Sequence, residues 1–262
     1  MRIIEANGLR LHWREDGDPN GVPVVFANSL GTDLRLWEAV LPLLPAGLRF
    51  IRFDLRGHGL SDCPPGPYAM DDLISDVEAL LDGLGLRSVI FVGLSVGGII
   101  GQGLAARRPD LIRALVLSNS AAKMGTPETW AARIAAIEAG GMASIADAVM
   151  ERWFAPAFRA SPELSLWRAM LSRVPQMGYL GTCAAIAAAD LTQSTAALRL
   201  PTLGIAGAED GASPPDLVAA TLALIPGATC HTIPNAGHLP CVEAPEAFAA
   251  ILSPFLKEHA HV

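Results

Sequence analysis

A serine flanked by glycines is the strongest indication of chemistry in this sequence. Residues 93–97 read Gly-Leu-Ser-Val-Gly and fit the pattern G-x-S-x-G, with Ser95 at the centre. A strand-like run precedes the pattern and a helix-like run follows it, as a sharp strand-to-helix turn requires. Such a turn projects the hydroxyl beyond the strand and sets it at a helix N-terminus, where developing negative charge is favoured. The pattern predicts that Ser95 is a nucleophile rather than part of an ordinary Gly/Ser-rich turn.

A serine hydroxyl needs a neighbouring base to attack a carbonyl carbon at neutral pH. Of the six histidines, His238 follows Asn-Ala-Gly just after the last predicted strand, where a loop can reach Ser95. We predict that His238 is the base, because the order serine, acid, histidine along the chain is typical of one class of hydrolytic triad. His58 lies in a Gly-flanked loop, and we interpret it as structural.

Two adjacent carboxylates compete for the role of the acid that orients the histidine. Glu209 and Asp210 follow a predicted strand at residues 201–206. Neighbouring side chains at a strand end point in different directions, so only one of them can face His238. We predict that this one is Asp210.

Two backbone N–H groups are expected to bind the oxyanion that forms during attack. Val96 supplies one, because it directly follows the nucleophile, and the loop after the third strand supplies the other. That loop reads Asn-Ser-Leu-Gly-Thr at residues 28–32. We predict Leu30 as the second donor, although an ordinary glycine-containing loop has the same composition.

The elements that must position these residues alternate between strand and helix. Strands are predicted at residues 2–5, 9–13, 22–27, 50–55, 89–94, 114–118, 201–206 and 228–233. Helices are predicted at residues 34–44, 70–84, 97–107, 214–224 and 243–256. This alternation indicates an α/β fold with a mostly parallel sheet and helices on both faces.

The alternation stops between residues 124 and 195, which hold Ala-rich, helix-like segments and no convincing strand. We therefore predict a core domain formed by residues 1–123 and 196–262, with residues 124–195 inserted as a helical cap over Ser95. Tryptophan and leucine side chains of the cap would form a largely apolar pocket roof. The alternative is that they form only the insertion's own core.

The composition indicates a folded protein that does not bind nucleic acid. Of 262 residues, 51% are hydrophobic and 17% are charged, which is enough apolar material for a large core. The net charge is −7 and no run is rich in lysine and arginine, which argues against a nucleic-acid partner.

The sequence also argues against a membrane or secreted protein. Residues 88–106 are uncharged and long enough to span a membrane, but five glycines and a strand-like first half favour a buried strand, turn and helix. The first residues lack the apolar core of an export signal. The four cysteines lack zinc or redox spacing, so we expect reduced thiols and a cytoplasmic location.

With these residues in place, the sequence resembles the α/β-hydrolase superfamily over nearly its whole length. The matching segments are residues 28–31, 54–61, 93–97, 207–210 and 236–238. The resemblance implies an α/β-hydrolase fold with eight strands and an inserted helical cap. Asn28 stands where many members have histidine. This difference does not affect the predicted oxyanion donor, because that donor is the backbone N–H of Leu30.

More narrowly, the sequence resembles the 3-oxoadipate enol-lactonases of bacterial aromatic catabolism. Residues 28–33, 93–98, 152–156 and 205–210 carry this likeness. It implies hydrolysis of a small anionic lactone without a metal or organic cofactor.

The free carboxylate of such a substrate would need a cation in the pocket, because burying an unpaired charge is costly. The insertion offers Arg133 and Arg152, and arginine suits carboxylate binding. We choose Arg133, which lies three residues after Trp130 and so on the same helix face. Trp130 and Trp153 are our further candidates for substrate contacts.

Several other functions fit the same residues. Carbon–carbon bond hydrolases of ring-cleavage products, carboxylesterases and cofactor-free haloperoxidases share the triad, and a non-catalytic small-molecule receptor could retain it. Haloalkane dehalogenases and epoxide hydrolases of this fold use an aspartate nucleophile, so Ser95 argues against them. The oligomeric state stays open.

Overall fold

Eight strands form one sheet in the computed structural model, which describes residues 1–261. They are β1 (Arg2–Ala6), β2 (Leu9–Gly17), β3 (Val22–Ala27), β4 (Leu48–Phe53), β5 (Val89–Leu94), β6 (Ile112–Ser118), β7 (Thr202–Gly207) and β8 (Thr229–Ile233). The strand order is β1-β2-β4-β3-β5-β6-β7-β8. Strand β2 pairs antiparallel with β1 and β4, and every pair from β4 to β8 is parallel. The sheet therefore agrees with the prediction of eight mostly parallel strands.

Helices connect the strands and cover the sheet. They are α1 (Met70–Gly83), α2 (Val96–Arg107), α3 (Pro127–Gly140), α4 (Ala146–Trp153), α5 (Pro156–Arg159), α6 (Leu164–Ser172), α7 (Gln176–Ala188), α8 (Thr192–Ala196), α9 (Pro215–Leu222), α10 (Pro240–Glu243) and α11 (Pro245–Ala260). All six residues of β5 are buried, which explains its continuous apolar sequence. Helix α2 packs closely against β5 and β6. A Cβ at Gly101 would come within 2.9 Å of side-chain atoms of Phe91 and Leu115, so this approach requires glycine.

The helix predicted at residues 34–44 is wrong in the structure. Two short 3₁₀ turns stand there instead, at Leu34–Trp37 and Leu41–Leu43. Pro42 lacks the N–H that an α-helix would need at this point, and its ring crowds the preceding turn. Asp33 accepts a hydrogen bond from the Arg35 amide at the start of the first turn.

Residues 124–195 contain helices and no strand in the described chain. They comprise α3 to α7, most of α8, and a 3₁₀ turn at Met142–Ile145. Residues 88–106 form β5 and the larger part of α2, as their glycines indicated. Across residues 1–261, no helix is both long enough and apolar enough to cross a membrane.

Candidate active site

The turn between β5 and α2 holds Ser95 in a strained backbone conformation. Its φ and ψ angles are 57° and −118°, a region that residues other than glycine rarely occupy. A Cβ at Gly93 would lie 2.3 Å from the carbonyl oxygen of Gly97, and one at Gly97 would lie 2.3 Å from that of Ala27. Both glycines of the motif are therefore required by close backbone packing. The turn leaves Ser95 lining a pocket.

His238 lines the same pocket and is paired with Asp210. Its Nδ1 lies 2.8 Å from Asp210 Oδ2, and both side chains are buried. A proton on Nδ1 that is donated to this carboxylate leaves Nε2 free to accept one. Ser29 Oγ lies 3.4 Å from Nε2, on the side away from Asp210. The arrangement is that of a base held in one tautomer at the pocket wall.

Asp210 is held by a dense set of donors, whereas Glu209 is exposed to solvent. Asp210 Oδ2 also accepts from Asn119 Nδ2 at 2.8 Å and Ser213 Oγ at 2.7 Å. Oδ1 accepts from the backbone N–H groups of Ala212 and Ser213. Burial opposes ionisation of this carboxyl group, but His238 and these donors outweigh it and hold its pKa well below the usual range.

Asn119 and Ser213 were not identified from the sequence. Asn119 directly follows β6, so its strand end lies at the same sheet edge as those of β5 and β7. A polar residue at that position was a usable signal, because ligand sites in such sheets form outside the carboxyl ends of the strands. For Ser213, which lies in a loop three residues after Asp210, the sequence contains no comparable signal.

The predicted oxyanion donors lie at two turns beside Ser95. Within residues 1–261, neither the Leu30 nor the Val96 backbone N–H donates to another protein group. Leu30 lines the pocket, and its loop is closed by a 2.8 Å hydrogen bond from Thr32 Oγ1 to the Ser29 carbonyl. Both N–H groups are thus available for a developing negative charge.

His58 holds the same loop from behind. Its Nε2 accepts from the Gly31 amide at 3.1 Å, and its Nδ1 lies 3.0 Å from the Arg56 carbonyl. Burial lowers the pKa of His58, which favours the neutral ring that can accept this hydrogen bond. The geometry agrees with the structural interpretation of His58.

Residues of the predicted cap line the pocket that contains Ser95. They include Met124, Gly125, Thr129, Trp130, Arg133, Arg152, Trp153, Tyr179 and Ile186. Trp130 is anchored by a 2.7 Å hydrogen bond from its Nε1 to the Met124 carbonyl, and Trp153 is buried.

Two arginines that form no ion pair within residues 1–261 bring positive charge to the pocket. Neither Arg133 nor Arg152 forms an ion pair with a carboxylate anywhere in the described chain. Arg133 lies 5.1 Å from the centre of the Trp130 ring. Arg152 stays exposed as a residue, but partial desolvation of its guanidinium lowers its pKa, and repulsion by Arg133 lowers it further. The buried Tyr179 hydroxyl lies next to Arg133 but forms no hydrogen bond of regular geometry within residues 1–261.

A further carboxylate, Glu243, lies at the edge of this site. Its Oε1 accepts from the Gly237 amide at 2.8 Å, and its Oε2 accepts from the Ala155 amide at 2.7 Å. Burial raises the pKa of Glu243 to about 7, although both amides and His238 act in the opposite direction.

This raised pKa predicts a pH-dependent stability. The folded protein keeps the Glu243 proton up to a pH of about 7, whereas the unfolded chain loses it near its ordinary pKa of about 4.5, so stability falls as the pH rises between these values. Relative to Glu243→Gln, which cannot ionise, wild type should lose about 2 kcal/mol of unfolding free energy between pH 5 and pH 8. Urea unfolding of both proteins across this range measures the difference. Parallel curves would contradict the raised pKa.

Together these groups can perform acyl transfer. A hydroxyl sits at a strained turn, a base is held with its acceptor nitrogen at the pocket, and two free N–H groups lie at the turns beside the hydroxyl. No cluster of three or more His, Cys, Asp or Glu side chains within residues 1–261 could hold a metal ion.

Comparisons with known proteins place the chain in a wider family. The family profile for the alpha/beta hydrolase fold matches residues 22–245. The chain is 35% identical to 3-oxoadipate enol-lactonase 2 of Acinetobacter baylyi, over 94% of this chain and 92% of that one. Its structure is similar to that of the enol-lactonase from Burkholderia xenovorans LB400, with a TM-score of 0.94 and 37% identity over 98% of this chain and 100% of that one. It is also similar to a hydrolase from Pseudomonas aeruginosa PA01, with a TM-score of 0.93 and 40% identity over 97% of both chains.

Proposed function

The chain belongs to the α/β-hydrolase family, and from this premise we propose that it is a serine-dependent lactonase that opens 3-oxoadipate enol-lactone to 3-oxoadipate. The observation that carries the proposal is the pair of unpartnered arginines, Arg133 and Arg152, in the same pocket as Ser95. A neutral ester would leave this charge without a partner, whereas a lactone with a free carboxylate supplies one. The similarity to two enol-lactonases supports the same substrate.

In the proposed reaction, Ser95 attacks the ring carbonyl carbon while its proton passes to His238 Nε2. The resulting oxyanion accepts hydrogen bonds from the Leu30 and Val96 amides, and Asp210 stabilises the imidazolium. Collapse breaks the ring C–O bond and releases an enolate, which takes the proton from His238 Nε2 and tautomerises to a ketone that cannot easily close the ring again. Water, deprotonated by His238, then attacks the acyl-enzyme and releases the acid. Apart from the attacking water, every catalytic group in this reaction is supplied by the chain itself.

The substrate carboxylate is assigned to the cationic side of the pocket. Arg133 is held against the Trp130 ring, and its guanidinium offers the paired donors that a carboxylate accepts. Arg152 and the buried Tyr179 hydroxyl complete a set of donors around the same space.

The proposal is tested with a panel of three substrates, an uncharged lactone for comparison and two arginine variants. Wild type should have a higher kcat/KM for the enol-lactone than for p-nitrophenyl acetate or a vinylogous 1,5-diketone. Arg133→Ala should lower kcat/KM for the enol-lactone by about 10- to 100-fold, the value of a hydrogen bond between charged groups. An uncharged lactone should be affected much less.

Arg159→Ala serves as the matched control, because Arg159 is an exposed arginine of the insertion that does not line the pocket. An equal loss on charged and uncharged lactones would remove Arg133 from the site. A wild-type preference for p-nitrophenyl acetate would favour a carboxylesterase, and a preference for the diketone would favour a carbon–carbon bond hydrolase. Failure to turn over any of the three would favour a receptor.

A further inference from the structure

The end of α4 is joined by its backbone to the loops that carry His238 and Asp210. The Trp153 carbonyl accepts a hydrogen bond from the His238 amide at 2.7 Å, and the Arg152 carbonyl accepts one from the Gly211 amide at 3.2 Å. The side chains of Arg152 and Trp153 line the substrate pocket. The residues that form this pocket wall are therefore hydrogen-bonded through their backbone to both catalytic loops.

Glu243 stabilises this junction by accepting two further hydrogen bonds. One carboxylate oxygen binds the amide of Gly237, the residue directly before His238, and the other binds the amide of Ala155. The approach is close, since a Cβ at Gly237 would lie 2.4 Å from the Trp153 carbonyl oxygen. One side chain thus joins two segments that lie far apart along the chain.

We propose that Glu243 is a positioning residue for His238, acting through the Gly237 amide and through the cap segment at residues 152–155. This inference rests on the proposed serine-hydrolase function. Glu243 does not line the pocket, so the proposed role involves no contact with substrate.

The position of the His238 imidazole depends on what holds its ring and on what holds its backbone. Asp210 sets the ring by holding Nδ1, but the path of the backbone decides where Nε2 lies relative to Ser95. Glu243 holds the amide of Gly237 while Asn119 Nδ2 donates to its carbonyl at 3.3 Å. Removing one of these restraints allows the imidazole to shift, and a shift of about 1 Å can cost about 100-fold in rate.

The same carboxylate keeps two amides paired that would otherwise be buried without partners. Ala155 is buried, and Gly237 packs against backbone. Glutamine at position 243 keeps the size of the side chain but has one acceptor oxygen, so its amide N–H₂ must face one of the two donors. Glu243→Gln therefore loosens the junction without opening a large cavity.

The test is Glu243→Gln, assayed at pH 8 well below its unfolding temperature. With p-nitrophenyl acetate, kcat should fall by about tenfold or more while KM stays within about twofold. The rate at which a fluorophosphonate forms a P–O bond to Ser95, with loss of fluoride, should fall in parallel, because this reaction also needs His238 as base.

Glu246→Gln is the matched control, since Glu246 is an exposed glutamate three residues further on. It loses the same charge from the same part of the chain and should retain wild-type rates. If Glu243→Gln yields no folded protein, Glu243→Asp replaces it, because aspartate keeps the charge but is too short to hold both amides.

A second background separates positioning from general structural support. In His238→Ala, a further change of Glu243 to Gln should leave the residual rate within about twofold, because the group it positions is gone. A comparable loss in both backgrounds, or an unchanged kcat with a lowered unfolding temperature, would overturn the proposal. Ser95→Ala is run beside them: if it stays active, the proposed function itself has failed, whereas an inactive Ser95→Ala with a fully active Glu243→Gln refutes this inference alone.

Discussion

Ser95→Ala should fold like wild type and lose nearly all turnover, by a factor on the order of 10⁶ in kcat, as removal of the nucleophile does in serine proteases. Alanine has the same Cβ at the strained backbone position, so the turn is retained. The acyl-enzyme cannot form, because the hydroxyl at the helix N-terminus is the group that the turn projects toward the substrate. Steady-state kinetics with the enol-lactone and p-nitrophenyl acetate, together with a circular dichroism spectrum, measure both parts.

Ser29 provides the control for this experiment. Its hydroxyl also lies in the pocket, 3.4 Å from His238 Nε2, so it is the alternative oxygen nucleophile within reach of the base. Ser29→Ala removes a hydroxyl of the same kind and should cost far less than Ser95→Ala. Near wild-type activity of a folded Ser95→Ala protein, or a greater loss in Ser29→Ala, would refute the assignment of the nucleophile.

The parts of the site that could be predicted from sequence are those with local signals. The turn around Ser95 has such a signal. Gly93 is required by its close contact with Gly97, and Gly97 by its close contact with Ala27 of the neighbouring strand. The face shared by Trp130 and Arg133 is another, since three-residue spacing on a helix brings side chains together, and the structure places them 5.1 Å apart.

The parts that could not be predicted depend on distant segments. Asn119 reaches Asp210 across 91 positions of the chain, and Glu243 reaches Ala155 across 88. Asn119 is marked only by its position directly after β6, and Glu243 has no local signal at all. Their roles follow from the parallel sheet, which brings the carboxyl ends of separate strands to one edge, and from the return of the inserted helices toward the His238 loop.

Secondary structure shows the same division. Strands β3 and β5 are buried apolar runs and were located at their observed bounds, because burial on both faces dictates composition. Residues 34–44 have helical spacing, but they form two short 3₁₀ turns, because Pro42 cannot continue an α-helix. The spacing of apolar residues indicates which face of a segment is buried. It does not indicate whether the backbone can form the hydrogen bonds of a helix.

Asp210→Asn should lower kcat by about 10⁴-fold, as the same change does in a serine protease. The reason lies in the donors around this carboxylate: Oδ2 accepts from His238, Asn119 and Ser213, and Oδ1 accepts from two backbone amides. An asparagine amide must turn its N–H₂ toward one of these sets. If it faces His238, the imidazole has to carry its proton on Nε2, and that nitrogen can no longer accept the proton of Ser95.

Glu209→Gln removes the same charge one residue earlier, from an exposed side chain, and should retain wild-type kcat. The loss in Asp210→Asn should appear with both the enol-lactone and p-nitrophenyl acetate, because the acid acts on the base and not on the substrate. It should also slow phosphonylation of Ser95 by a fluorophosphonate. The reverse ranking of the two variants, with both folded, would assign the orienting role to Glu209. Equal and nearly full activity in both would show that His238 is held in its tautomer without Asp210.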